Sequence, residues 1–282
     1  MEYRIQSGET VVTVSDLGAE LISVKTGNEE RLWQNPTGEW GGHAPLLFPV
    51  AGRCGVTVNG TSYPIGMHGV ARKAVFALTE KTETSVTLAL RSNESTRAVY
   101  PFEFVFSVTY SIDENKLSIA YEVENPSEQT TYYAGGSHES YALKTDVDGY
   151  EIEFETTESL TRLLHNNNGK LTGETLFLGE MQTMPLDKEG LSNGDTYVFE
   201  DIRSRSVVLK ERGGKAIARV SFPDYPNLLF WHADGAHYIC IEPWLNLPDT
   251  EGKETVEFAQ KKGVRALAPK AKARLVHTIE YL

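Results

Sequence analysis

Phe102-Glu103-Phe104-Val105-Phe106-Ser107-Val108-Thr109-Tyr110 puts an apolar side chain at every second position. A period of two is that of a β-strand with one buried face, because successive side chains point to opposite sides. Asp113-Glu114-Asn115 then supplies turn-forming residues, and Leu117, Ile119, Tyr121 and Val123 alternate back. Residues 102–123 therefore read as an antiparallel hairpin with one apolar face.

The same pattern continues on both sides of it. Val11, Thr13 and the run to Leu17 are strand-like until Gly18, and Leu21, Ile22 and Val24 follow before a turn at Thr26-Gly27-Asn28. Val56 to Tyr63 reads as a tight hairpin around Asn59-Gly60, a pair suited to a two-residue turn. Val86–Leu90, Ile152 with Phe154, Val207–Leu209, Ile217–Val220, Leu228–Trp231, and Leu275, His277, Ile279 and Tyr281 add further strands. Helical periodicity is scarce; Thr255–Lys262, ended by Gly263, is the one short helix expected. No repeat or low-complexity linker divides the chain. The expected fold is all-β: one domain over residues 1–282, a large antiparallel β-sandwich with few short helices.

The 282 residues carry a formal charge of -12 and 40% hydrophobic residues. That charge disfavours nucleic acid and anionic membranes as partners. No stretch is long and apolar enough to span a membrane. Cys54 and Cys240 make no disulfide framework and read as buried thiols. Met1-Glu2-Tyr3-Arg4-Ile5 has neither the basic start nor the apolar centre of a signal peptide, so a cytoplasmic location is expected.

Chemistry concentrates in a few segments. Tyr238-Ile239-Cys240-Ile241-Glu242-Pro243-Trp244 is an apolar strand that ends in a carboxylate, with a proline stopping the ladder. Ile239 and Ile241 share one face; Glu242, Cys240 and Tyr238 share the other. At a strand mouth beside Trp244, Glu242 is either a solvated strand-end carboxylate or a half-dry general base. Gly41–Arg53, with Pro45-Leu46-Leu47-Phe48-Pro49 at its centre, reads as irregular backbone packed inside the protein. Arg53 emerges from it and must find acceptors in the protein or in a ligand. His68 in Gly66-Met67-His68-Gly69-Val70-Ala71-Arg72 is flanked by glycines that allow close approach, which suits a structural imidazole as well as a site residue. Gly135-Gly136 break a strand just before His138, placing an imidazole at a strand exit. Asp195 opens a strand, where it either caps a turn or accepts hydrogen bonds from hydroxyls. Metal binding fits poorly by spacing, and His232 and His237 read as loop residues. No P-loop, dinucleotide fingerprint or nucleophile elbow is found.

Together, Pro45–Pro49 with Gly52-Arg53, Met67–Arg72, Gly136-Ser137-His138 and Cys240–Trp244 with Pro248-Asp249 resemble the aldose 1-epimerase (galactose mutarotase-like) family, in particular its bacterial LacX-like branch. The resemblance implies a β-supersandwich and cofactor-free interconversion of the α and β anomers of a sugar. It implies Glu242 as base, His138 as acid, His68 as a second active-site histidine, Arg53 as a sugar-binding residue and Asp195 as the substrate-binding aspartate. Asp195-Thr196-Tyr197 and Ser137-His138-Glu139-Ser140-Tyr141 depart from the patterns of galactose mutarotases, which puts galactose in doubt as the substrate. The expected partner is a small-molecule sugar, with no cofactor and no metal, in a monomer or homodimer. Trp33, Trp40, Trp231 and Trp244 could stack on a sugar, although packing suits most of them. Two alternatives remain: a mutarotase for a hexose 6-phosphate, with Arg72 helping to hold the phosphate, and a non-catalytic carbohydrate-binding protein.

Overall fold

The computed structural model describes all 282 residues, the side chain of Asn193 excepted. Four strands, β1 (Glu2–Ser7), β2 (Thr10–Ser15), β3 (Leu21–Thr26) and β4 (Glu29–Glu30), form a small antiparallel sheet. The hairpin β5 (Val56–Val58) and β6 (Thr61–Tyr63) follows. The principal sheet starts with β7 (Ala77–Lys81), β8 (Ser85–Arg91), β9 (Val105–Asp113) and β10 (Lys116–Glu124). After the short β11 (Thr131–Tyr133) come β12 (Glu139–Ala142), β13 (Tyr150–His165), β14 (Leu171–Pro185) and β15 (Tyr197–Phe199). Then follow β16 (Ser206–Glu211), β17 (Ala216–Ser221), β18 (Asn227–Trp231) and β19 (Tyr238–Trp244). β20 (Arg265–Leu267) pairs with β11, and β21 (Lys272–Tyr281) closes the chain. The principal sheet has 13 strands in the order β12-β19-β18-β15-β13-β16-β17-β21-β10-β9-β8-β7, with β14 paired to β13 alone.

The architecture is a large antiparallel β-sandwich. One contiguous core joins the two sheets: Ile5, Val12, Val14 and Leu21 of the small sheet pack in the same cluster as Phe106, Val108, Ile119 and Tyr121 of the large one. Tyr110 reaches across to donate its hydroxyl to the carbonyl of Ala19. The hairpin β9–β10 is as the alternation predicts, with Leu117 opposite Ile112 and Tyr121 opposite Val108. Phe102 and Phe104, however, precede β9, which begins at Val105. Phe104 is buried nonetheless, against Phe48 and Tyr100. An apolar period can thus outrun the ladder when the core continues past it.

Two other expectations change. Only Phe258–Gln260 of the helix expected at 255–262 is helical, as a single 3₁₀ turn. Phe258 is buried, so tertiary packing and not helix propensity places this segment. β13 and β14, at 16 and 15 residues the longest strands, were scarcely visible in the sequence. Most of β14 is exposed, so no apolar face marks it. The β13–β14 register shifts three times, which breaks the period of two.

β19 is buried along its whole length. Ile239 and Ile241 enter the main core. Tyr238 and Cys240 face a separate aromatic cluster with Trp33, as the alternation requires. The strand does not stop at Glu242. Pro243 stays in the ladder opposite Leu228, and Trp244 opposite Asn227. The carbonyl of Pro243 points toward β12 and accepts from Ser137 N at 3.1 Å. The missing proline N–H falls on that same side, where β12 has given way to irregular backbone.

Candidate active site

A cleft of about 740 Å³ opens against β18 and β19, and it is lined by all six residues singled out above: Arg53, His68, Arg72, His138, Asp195 and Glu242. Segment 45–53 gathers four of them. Leu47 and Gly136 exchange backbone hydrogen bonds (3.0 and 3.2 Å), and Val70 N donates to Phe48 O (2.8 Å). His68 N donates to Gly52 O (2.9 Å), and Asp249 N to Arg53 O (2.9 Å). These bonds draw the His68 loop, the His138 loop and the chain beyond β19 onto one irregular stretch. Glycine is required at two of the crossings. A Cβ at Gly69 (φ +75°) or at Gly135 (φ +140°) would lie 2.2 Å from the carbonyl oxygen of Phe48 or Leu47.

Asp249 reinforces the same hub. Its carboxylate accepts from Gly55 N (2.7 Å) and pairs with the buried Lys261 ammonium (2.6 Å). It is therefore a structural residue of the motif. Its charge helps burial push the neighbouring Cys54 thiol up to about 12.

Glu242 is 2% exposed, deeper than the strand mouth expected for it. Oε2 lies 3.4 Å from His138 Nε2. Burial first, and then the charge of Glu139, raises its pKa well above the ordinary carboxylate value. Burial also lowers His138, to about 4. The His138 ring stacks on Trp40 (centroids 5.3 Å apart) and meets Trp231 edge-on (5.8 Å). His68 stands at right angles to His138, 5.7 Å away. His68 Nδ1 accepts from Gly52 N (3.1 Å), so a neutral ring carries its proton on Nε2. Burial, followed by the charges of His138, Arg72 and Arg53, lowers its pKa well below 6.5. His68 is thus a neutral hydrogen-bond donor.

The other end of the cleft is wetter. Asp195 does not open β15, which starts at Tyr197, but follows a 3₁₀ turn. Its side chain is 38% exposed and ion-paired with Arg162. Oδ1 is 2.7 Å from His165 Nε2, a contact that becomes an ion pair when the ring is protonated. The Arg162 guanidinium also lies over the Tyr197 ring, 4.5 Å from its centroid. Arg53 is exposed at the rim, beside the turn at Gly169. Arg72 sits in a 3₁₀ turn, with a buried Nε that has no hydrogen-bond partner. Neither arginine has a carboxylate within salt-bridge distance among the described residues.

The family model for aldose 1-epimerase matches residues 1–255 of this chain. The chain belongs to the aldose 1-epimerase family. Protein LacX (chromosomal) of Lactococcus lactis subsp. lactis is 30% identical over 274 residues, 88% of each chain. A galactose mutarotase related enzyme from Lactobacillus acidophilus superposes with a TM-score of 0.89 at 30% identity, over 100% of this chain and 97% of that one. A galactose mutarotase-like protein from Lactobacillus casei gives a TM-score of 0.90 at 26% identity, over 100% of both.

Arg162 and His165 are the cleft residues that sequence reasoning missed. Three apart on a regular strand, they would face opposite sides. A register shift between Leu163 and His165 turns both toward Asp195. Nothing in the local sequence announces that bulge. Of the tryptophans, Trp40, Trp231 and Trp244 line the cleft, while Trp33 is packed against Tyr238. One set of donors could be taken for a metal site, since atoms of His138, Cys240 and Glu242 lie within 4.8 Å of one another. The sequence could not show this, because His138 lies about a hundred positions from the other two. Burial and the charge of Glu242 raise the Cys240 pKa well above the usual thiol value, so a metal taken up there would have to displace the thiol proton.

Proposed function

We propose that this chain is an aldose 1-epimerase, acting as a single domain, with Glu242 and His138 as its proton-transfer pair. The observation that carries the proposal is a carboxylate and an imidazole 3.4 Å apart, buried in the wall of a cleft that also presents Trp40, Trp231 and Trp244. Converting one anomer to the other takes a proton from the C1 hydroxyl and gives one to the ring oxygen. The C1–O5 bond breaks, the open aldehyde turns about C1–C2, and the ring closes on the other face with the proton transfers reversed. No atom or electron is gained or lost, so one acid and one base suffice.

Burial disfavours charge on both members of the pair, raising Glu242 and lowering His138. Their proton affinities thereby come within reach of each other, and one proton can be handed on in either direction through the sugar. His68 donates to a sugar hydroxyl from its neutral ring. Asp195, held by Arg162 and His165, accepts from hydroxyls at the far end and fixes the ring while the C1–C2 bond turns. The tryptophan faces take the apolar side of the sugar.

One observation favours a second reading of the substrate. Among the described residues, Arg53 and Arg72 bring two guanidinium groups to the cleft with no carboxylate within salt-bridge distance, the Glu20 charge acting on Arg72 from further off, an arrangement suited to an anionic substituent such as a 6-phosphate. Polarimetry or exchange NMR on glucose, galactose and glucose 6-phosphate decides between the readings. Acceleration of a free sugar supports the neutral substrate. Acceleration of the phosphosugar alone, lost in Arg72→Ala, supports the anionic one. Binding of a sugar with no acceleration of any would leave a carbohydrate-binding protein.

A further inference from the structure

Behind the cleft lies a second set of buried ionisable groups that the proposed reaction does not touch. Glu139 opens β12 and pairs with Ile241 of β19. Cross-strand partners share a face, so Glu139 lies with Ile241 on the core side, and the neighbouring Glu242 points to the cleft. Glu139 is 1% exposed. Oε1 is 2.9 Å from Nε2 of His277 on β21, and Oε2 accepts from Ser137 Oγ at 2.9 Å. His277 is wholly buried, and its Nδ1 has no partner. The buried hydroxyls of Tyr121, Tyr141, Tyr225 and Tyr281 also lack partners. The charge of Glu139 adds to burial in raising the pKa of all four phenols. A carboxylate amid orphaned polar groups is an expensive way to fill a core.

Two routes connect this set to the cleft. The first is mechanical, because Ser137 and Glu139 bracket His138. Ser137 donates its N–H to Pro243 O, accepts from Trp244 Nε1 (3.1 Å), and gives its hydroxyl to Glu139. The Glu139 side chain thus ties the His138 loop to β21. The second is electrostatic. The Glu139 charge follows burial as a cause of the raised Glu242, and it opposes the lowering of His138.

We propose that Glu139, tied to His277, is a positioning residue: it clamps the His138 segment and acts as a buried charge on Glu242 and His138 from behind the sheet. The catalytic consequence rests on the epimerase reading; the electrostatic one does not. Among the described residues, His138, Cys240, Tyr238 and Trp244 bear on Glu242 from its own face of β19, with His68 and Arg72 elsewhere in the cleft, and Glu139, tied to His277, acts on it from the core.

The test is carbon-13 NMR of carboxyl-labelled glutamate, with the Glu242 signal assigned by Glu242→Gln. In Glu139→Gln the Glu242 midpoint should move to lower pH, and the His138 ring midpoint should fall with it. If anomer exchange is catalysed, the acid limb of its pH–rate profile should shift the same way. A variant that loses rate at every pH while both midpoints stay fixed would overturn the proposal and leave Glu139 a structural residue. If no sugar is turned over, the epimerase reading fails, and the Glu242 midpoint still decides the role of Glu139. Should Glu139→Gln not fold, the wild type decides alone. Its Glu242 curve should carry a second inflection where the Glu139 carbon titrates. A single step that ignores Glu139 would overturn the proposal.

Discussion

The two ends of the cleft are built on opposite principles. Glu242 and His138 are dry, sit on or beside a strand buried on both faces, and have their proton affinities moved by burial. Asp195 is partly wet, lies beside a 3₁₀ turn, and is held by the buried Arg162 guanidinium and a contact with His165 at the tip of the long β13–β14 arm. A dry end suits proton transfer, because its charges cannot be quenched by water. A wet, ion-paired end suits recognition, because its oxygens stay oriented while hydroxyls come and go. Under the proposed function, the difference makes the chemistry and the grip on the sugar separable, and each can be attacked alone.

The largest expected effect falls at the dry end. His138→Asn should cost about 10²–10⁴-fold in kcat, with sugar affinity little changed, measured by exchange NMR and calorimetry. Loss of affinity with kcat intact would reverse the assignment of the two ends. Next is the hub beneath that end. Asp249→Ala leaves Lys261 buried without its partner and should destabilise the fold by about 3–5 kcal/mol in urea unfolding.

The dry end also makes stability depend on pH. The folded state holds His138 at about 4, and the unfolded chain returns it to 6.5. Between those values the unfolded state binds the extra proton, so stability falls as the pH drops from 6.5 toward 4. At about 1.4 kcal/mol per pH unit, the contribution is about 3 kcal/mol at most, and His138→Asn should remove it. Wild type and variant losing stability in parallel over that range would show that the ring is not desolvated. The smallest effect is at the wet end. Asp195→Asn should raise KM by roughly 10- to 100-fold, the worth of about 1.5–3 kcal/mol in charged hydrogen bonds, with kcat less affected. A change confined to kcat would place Asp195 in the chemistry.

The same division marks what the sequence could reveal. The dry end was legible because its parts lie in short apolar segments broken by glycine and proline, and because alternation alone puts Glu242 opposite Ile241 on β19. The depth of Glu242 was not legible, since Pro243 suggested a strand end and the ladder continues through it. The wet end was nearly invisible. Asp195 read equally as a turn cap or a hydroxyl acceptor until the family resemblance favoured the second, while Arg162 and His165 needed a bulge that no residue pattern encodes. The arm that carries them was missed for a related reason, since a largely exposed strand has no apolar face to show.

The most direct test of the proton-transfer pair is exchange NMR of the anomers of the accepted sugar, on wild type and Glu242→Gln at equal concentration. The pair predicts exchange enhanced by the wild type, a fall of about 10²–10⁴-fold in the variant, and a sugar affinity that survives the change. Exchange that continues undiminished in Glu242→Gln would contradict it.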